Sequence, residues 1–81
     1  MTITVRLFAL LRELYGSKDA TLVLPEGASV ADALSALFPE AQRQGRFPRS
    51  LLYAVNRGYV SASHLLKDGD ELVFVPPVSG G

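Results

Sequence analysis

No cysteine occurs in this 81-residue chain. Disulfides, thiolate metal sites and a cysteine nucleophile are therefore excluded. A single histidine, His64, is present, so a multi-histidine metal site is excluded as well. Ser61 and Ser63 beside it do not make a triad, because nothing in the pattern places an orienting acid at the ring, and His64 reads as a structural or surface residue. An excess of either charge is also missing. Eight Lys and Arg balance eight Asp and Glu, whereas a nucleic-acid-binding face normally shows as a basic surplus.

Long apolar runs are lacking too. None approaches the roughly 18 residues needed to span a bilayer, and Arg6, Arg12 and Glu13 interrupt the partly apolar segment 1–15 where a signal-peptide core would lie. The expected compartment is the cytoplasm, with neither membrane nor nucleic acid as partner. The phosphate-cradling pattern G-x-x-x-x-G-K-[ST] is absent, and glycines 16, 27, 45, 58 and 69 each fit a turn, so no nucleotide is expected on this chain alone. Asp68, Asp70 and Glu71 lack the fuller oxygen-ligand spacing of a calcium site. They read as a turn, and no metal or cofactor is expected.

What is present is apolar patterning. Hydrophobic residues make up 48% of the chain, enough for one efficient core in a domain that buries only about 60–65% of its unfolded surface. Residues 2–8 alternate, with Ile3, Val5 and Leu7 on one face and Thr4, Arg6 and Phe8 on the other, the pattern of a half-buried strand. Leu7, Leu10, Leu11 and Leu14 then fall at the spacing of a short amphipathic helix, with Gly16 at the C-terminal cap. Residues 20–24 predict a second strand, Leu22 and Leu24 inward, ended by the turn Pro25-Glu26-Gly27.

Ser29 is placed to cap a helix, with Asp32 in its first turn. Val30, Ala33, Leu34 and Leu37 form that helix's apolar stripe, and Pro39 ends the pattern. Residues 40–50, carrying Arg43, Arg46 and Arg49, read as a solvated loop or a frayed helix end. Residues 51–55 are continuously apolar, as in a central strand covered on both sides. Asn56-Arg57-Gly58 is a turn into a short return strand at Tyr59 and Val60. Leu65 and Leu66 anchor a connection, Lys67-Asp68-Gly69-Asp70 turns again, and Glu71–Val75 is the last strand, with Leu72 and Phe74 inward. Two strands, a crossing helix and three further strands indicate α+β with a mixed sheet. Parallel central pairing of the first and last strands closes that order as a β-grasp. The expected division is a β-grasp domain over 1–75 and an extended tail over 76–81.

The tail is the one candidate reactive group. Pro76 and Pro77 fix φ and cannot donate to a sheet ladder. They should stop the last strand and hold Val78, Ser79, Gly80 and Gly81 off the body in an extended rise. Two terminal glycines offer a thin, unshielded end that can enter a narrow groove. A terminal carboxylate is ionised at neutral pH and is a poor electrophile. It needs activation, most simply as a mixed anhydride with AMP made by a partner that binds ATP, and its carbonyl then accepts an amine, a thiol or a sulfur donor.

The opening strand running into Leu11-Arg12-Glu13-Leu14, then Ala54-Val55-Asn56, Asp68-Gly69-Asp70-Glu71 and Phe74-Val75-Pro76-Pro77-Val78-Ser79-Gly80-Gly81 together resemble the small-subunit family of molybdopterin synthase. The resemblance covers essentially the whole chain, and the Pro-Pro-Val-x-Gly-Gly ending is its most specific part. It implies a ubiquitin-like β-grasp and a sulfur-carrying role in molybdenum cofactor synthesis. It also implies that the chain is not catalytic alone. Gly81 would be adenylated by a ubiquitin-activating-like adenylyltransferase using Mg and ATP, then converted to a thiocarboxylate at the expense of a sulfur donor protein. The tail would enter a pocket of the large synthase subunit and pass sulfur to cyclic pyranopterin monophosphate, in a complex of two small and two large subunits.

The residues add an expected docking surface. Phe8, Tyr59 and Val75 would form one exposed apolar patch near the neck if the first and last strands are neighbours, the kind of patch that marks an interface; the alternative is that Phe8 packs on its own helix and Tyr59 covers a turn. Competing functions are sulfur carriage for thiamine, tRNA thiolation or cysteine synthesis, a ubiquitin-like protein modifier, and a binding module with an inert tail. The stiff Pro76-Pro77 neck suits insertion into one fixed pocket better than conjugation to many targets.

Overall fold

The computed structural model describes residues 1–43 and 51–75 of the chain. Arg46 and Arg49, and the tail residues Pro76, Pro77, Val78, Ser79, Gly80 and Gly81, lie outside the described residues.

Alternation makes the first strand. In β1 (Thr2–Leu7), every second side chain, Ile3, Val5 and Leu7, is buried and the others are exposed. The chain leaves β1 at Phe8, which N-caps α1 (Ala9–Tyr15) through its extended backbone and makes no side-chain cap bond. Gly16 ends α1 in the left-handed conformation at φ 91°, and its N–H donates to the Arg12 carbonyl, the usual role of glycine at a helix end. Of the leucine stripe expected on this helix, Leu11 is fully buried and Leu10 is 46% exposed. Seven residues give fewer than two turns, so the helix can set only a narrow edge against the core.

β2 (Asp19–Val23) returns antiparallel to β1, with Thr2 opposite Val23 and Arg6 opposite Asp19. The turn that follows leads to Ser29, whose hydroxyl accepts from the Asp32 N–H at 3.2 Å while the Asp32 carboxylate accepts from the Ser29 N–H at 2.8 Å. This reciprocal box satisfies two orphan donors and starts α2 (Val30–Leu37). Val30, Ala33, Leu34 and Leu37 face the core. Pro39 does end the pattern, and it also opens α3 (Pro39–Arg43). A proline tolerated in a first turn is pre-set for the helical φ. The early part of the segment read as a loop or frayed end is thus a short helix, braced by an exposed Glu40–Arg43 ion pair.

β3 (Leu52–Val55), β4 (Gly58–Val60) and β5 (Glu71–Val75) complete a five-stranded sheet in the order β2-β1-β5-β3-β4. β1 and β5 are parallel and adjacent at its centre, and every other pair is antiparallel. This is the β-grasp expected from the sequence. One face carries the core, in which Ile3, Val5, Leu7, Leu11, Val30, Leu72 and Phe74 are each under 2% exposed, every such side chain contributing about 1.5–3 kcal/mol of burial. Tyr53 meets Phe74 edge-on at 5.8 Å, and Tyr15 meets Phe38 likewise at 5.9 Å, tying α1 to the end of α2. Among the described residues no helix covers the other face. β3 is therefore not covered on both sides: Leu52 points outward and is 49% exposed. No helix among the described residues is long and apolar enough to cross a membrane.

At the sheet end away from the neck, a polar clamp fixes two turns. Asn56 takes φ 48° and Arg57 φ 75°, the left-handed pair that a two-residue hairpin turn requires. The Asn56 side-chain amide donates to Asp70 at 2.9 Å and its carbonyl oxygen accepts from the Glu71 N–H at 3.0 Å. Asp70, buried at 8% exposure, also accepts from the Lys67 N–H at 2.8 Å. Asp68 accepts from the Thr2 N–H at 2.7 Å. These carboxylates hold backbone donors, and among the described residues no group of three or more His, Asp or Glu is placed to hold a metal.

Two stability measurements follow from this packing. Phe74→Ala should lower the unfolding free energy by about 3–5 kcal/mol, whereas Leu52→Ala on the open face should stay within about 0.5 kcal/mol, both read from urea denaturation. Asn56→Ala loses two hydrogen bonds around a buried carboxylate and puts alanine in a left-handed conformation that asparagine tolerates better, for an expected loss of about 2–4 kcal/mol. Asn56→Gly, which relaxes the backbone but removes the same bonds, should lose less. An unchanged midpoint in Asn56→Ala would show the clamp to be idle.

Candidate functional site

Strand parity decides what the open face carries. Because successive side chains of a strand point to opposite faces, burying Leu72 and Phe74 turns Glu71, Val73 and Val75 outward. Leu7 pairs with Phe74, and continuing that parallel register by one step brings Phe8 beside Val75. On the far side of β5, Val75 pairs with Leu52 and Val73 with Ala54. Ala54 in turn pairs with Tyr59 on β4. Phe8, Val75 and Leu52 therefore make one row across the open face, and Val73, Ala54 and Tyr59 make the next.

The three residues singled out from the sequence are thus on one face, at the end of the sheet where β5 finishes. Phe8 is 50% exposed, Tyr59 is 74% exposed and Val75 is half-buried among its strand neighbours. Neither Phe8 nor Tyr59 is buried in the core. Leu52 completes the patch and was not anticipated. Its signal was available in the parity of the 51–55 run: once Tyr53 and Val55 face inward, Leu52 and Ala54 must face out. Beside Tyr59 and Leu52, an open groove of about 310 Å³ is lined by Leu51, Leu52, Tyr53, Tyr59, Val60 and Ser61.

The remainder of the face is polar. Thr4 stands beside Glu71 and opposite Thr21, and the Arg6 guanidinium lies 3.4 Å from the Glu71 carboxylate. Both partners of that pair are well exposed, so it contributes under about 1 kcal/mol and mainly marks the border of the apolar half. His64 is exposed; its carbonyl accepts from the Val30 N–H at 3.0 Å, and among the described residues no acid bonds its ring.

The arrangement has one chemical consequence. β5 is a central strand, so the chain beyond Val75 leaves from the middle of the sheet, between Phe8 and Leu52. Among the described residues no catalytic constellation competes with this reading: the carboxylates Asp68 and Asp70 are committed to backbone donors, and Ser61 and Ser63 bond each other at 3.0 Å.

Comparison with known proteins agrees with the fold and the motif order. The ThiS family matches residues 5–81. The molybdopterin synthase sulfur carrier subunit of Escherichia coli (strain K12) is 41% identical over 81 residues, which is 98% of this chain and 99% of that one. The subunit of the same description from Chlamydomonas reinhardtii is 35% identical over 83 residues, 100% of both chains. Among solved structures, SAMP1 from Haloferax volcanii matches with a TM-score of 0.83 at 30% identity over 100% of each chain. The chain thus belongs to the ThiS family, as a ubiquitin-like β-grasp protein similar along its whole length to the sulfur carrier subunits of molybdopterin synthase.

Proposed function

We propose that this chain is the sulfur-carrying small subunit of a molybdopterin synthase, and that it docks on the large subunit through the apolar rows of its open sheet face. The observation that carries this reading is the exit of the chain from the sheet centre, flanked by Phe8 and Leu52. A partner covering Phe8, Leu52, Tyr59 and Val75 buries apolar surface that an isolated domain leaves in water, and the same contact aims residues 76–81 into the partner. The kinship with synthase sulfur carrier subunits supplies the partner's class.

In this reading Gly81 carries the chemistry. The terminal carboxylate is a poor electrophile until an adenylyltransferase, with Mg and ATP, converts it to an acyl adenylate. A sulfur donor then displaces AMP and leaves a thiocarboxylate. Inside the large subunit, the thiocarboxylate sulfur attacks a carbon of the pterin precursor, cyclic pyranopterin monophosphate, displacing an oxygen leaving group, and water then cleaves the acyl C–S bond of the resulting thioester, leaving the sulfur on the precursor and returning the carboxylate. Pro76 and Pro77 stiffen the approach, Val78 and Ser79 span it, and Gly80 leaves no side chain where the groove is narrowest. The small subunit alone supplies the carried atom and its placement, while the residues that act on the precursor belong to the large subunit.

A second reading, a protein modifier joined to target lysines, is favoured by one observation: a structure described as small archaeal modifier protein 1 of Haloferax volcanii matches with a TM-score of 0.82 at 28% identity. Both readings use the same activated carbonyl and differ in the nucleophile that accepts it.

Two experiments test the carrier reading. Phe8→Ala and Tyr59→Ala should each weaken binding to the large subunit by about 2 kcal/mol or more, as central aromatic anchors do, while shifting stability by no more than about 1 kcal/mol. Titration calorimetry set beside thermal unfolding separates the two; a collapse of stability with normal residual binding would make these residues core. Deleting Gly81 withdraws the reactive carbonyl by up to about 3.5 Å, and a misplacement of 1 Å already costs on the order of a hundredfold in rate. Turnover from purified large subunit, precursor and chemically prepared thiocarboxylate should therefore vanish in the deletion, with circular dichroism unchanged. Gly80→Val should fail in the same assay by blocking entry. Normal turnover in the deletion would remove the terminus from the chemistry.

A further inference from the structure

Next to Phe8, on the side away from Leu52, the open face turns into a groove of about 210 Å³ lined by Arg6, Leu7, Phe8, Arg12, Lys18 and Asp19. Three cations line it against one carboxylate. Arg6 is paired with Glu71, but neither Arg12 nor Lys18 has an ion pair among the described residues. Glu13 instead lines a second cleft of about 520 Å³, which Arg12 and Lys18 also line. These two side chains therefore form a cationic ridge between the clefts. The backbone beneath the ridge is set by the fold: Arg12 sits in α1, whose end is capped by the left-handed Gly16, and the Lys18 carbonyl accepts from the Leu7 N–H at 2.9 Å.

We infer that Arg12 and Lys18 are the electrostatic rim of the docking face and receive a carboxylate-bearing segment of the protein that covers Phe8. This inference rests on the proposed large-subunit partner. Continuity with Phe8 places the groove at the edge of that contact, and its charge sets the chemistry of what it accepts. The alternative anion, a nucleic acid, needs an extended basic surface, and a short groove on a chain with equal numbers of acidic and basic residues does not provide one. Rim charges act chiefly on the rate of encounter and its salt dependence. Phe8, Leu52 and Tyr59 then hold the complex, and Arg12 and Lys18 bring it together in the right orientation.

The test measures association and dissociation rates of the full chain with the purified synthase large subunit across ionic strength. Arg12→Glu combined with Lys18→Glu should slow association at least about tenfold at low salt. Arg12→Gln with Lys18→Gln should fall between that variant and the parent. The three association rates should converge near 1 M salt, where the screening length is about 3 Å. Arg57→Glu, at the opposite end of the sheet, should leave the rate unchanged, and circular dichroism should be the same for all. An association rate insensitive to charge at Arg12 and Lys18 overturns the inference while leaving the docking reading intact. No binding by the parent chain overturns both. Loss of binding to a single-stranded oligonucleotide, with unaltered large-subunit kinetics, would also overturn it by assigning the ridge to nucleic acid.

Discussion

The parallel pairing of β1 with β5 is the constraint on which the rest of this molecule depends. It joins the two ends of the described fold, Thr4 to Glu71 and Leu7 to Phe74, and so closes the longest loop in the structure. Closing so long a loop costs chain entropy, and that cost is offset where the two strands meet the core, since Val5, Leu7, Leu72 and Phe74 are all essentially inaccessible to water. Because β5 is thereby central, the chain leaves the domain between two strands and not along an edge. The same register that fills the core therefore also aligns Phe8, Val75 and Leu52 beside the exit.

The two faces of the sheet differ in burial and in chemistry. One face carries the cluster built with α2, the other carries an apolar half bordered by the Arg6–Glu71 pair and a polar half of threonines and charges. Apolar side chains on the open face cost the isolated domain solubility without adding much to its stability. Their concentration in two rows at one end, instead of scattered single residues, is the signature of a surface that becomes covered.

Much of this was legible in the residues. The alternation in β1, the Ser29–Asp32 capping box, the stripe on α2 and the closing register of the first and last strands all follow from local periodicity and from there being one way to bury every apolar face. Other features were not legible, each for a physical reason. Leu10 fits the helical stripe, but seven residues of helix offer too little surface to bury it. The 51–55 run reads as doubly covered, and only the position of α2 on one face leaves Leu52 in water. Pro39 stops one helix and starts another, a choice made by the backbone beyond it. The Asn56–Asp70 bond joins turns 14 residues apart, and no spacing rule connects them. The patch of Phe8, Tyr59 and Val75 was foreseeable because parity and strand order fix it together, whereas the cationic ridge depends on how α1 is turned against β2.

The central claim is that this fold exists to carry sulfur on Gly81. The most direct measurement is the intact mass of the protein isolated from its own cells, with its sulfur donor system present. The account predicts a population in which one oxygen at the C-terminus is replaced by sulfur, lost on mild hydrolysis and absent from a Gly81 deletion. An unmodified terminus throughout, with remnants of this tail in isopeptide linkage to lysines of other proteins, would contradict it and make the chain a modifier.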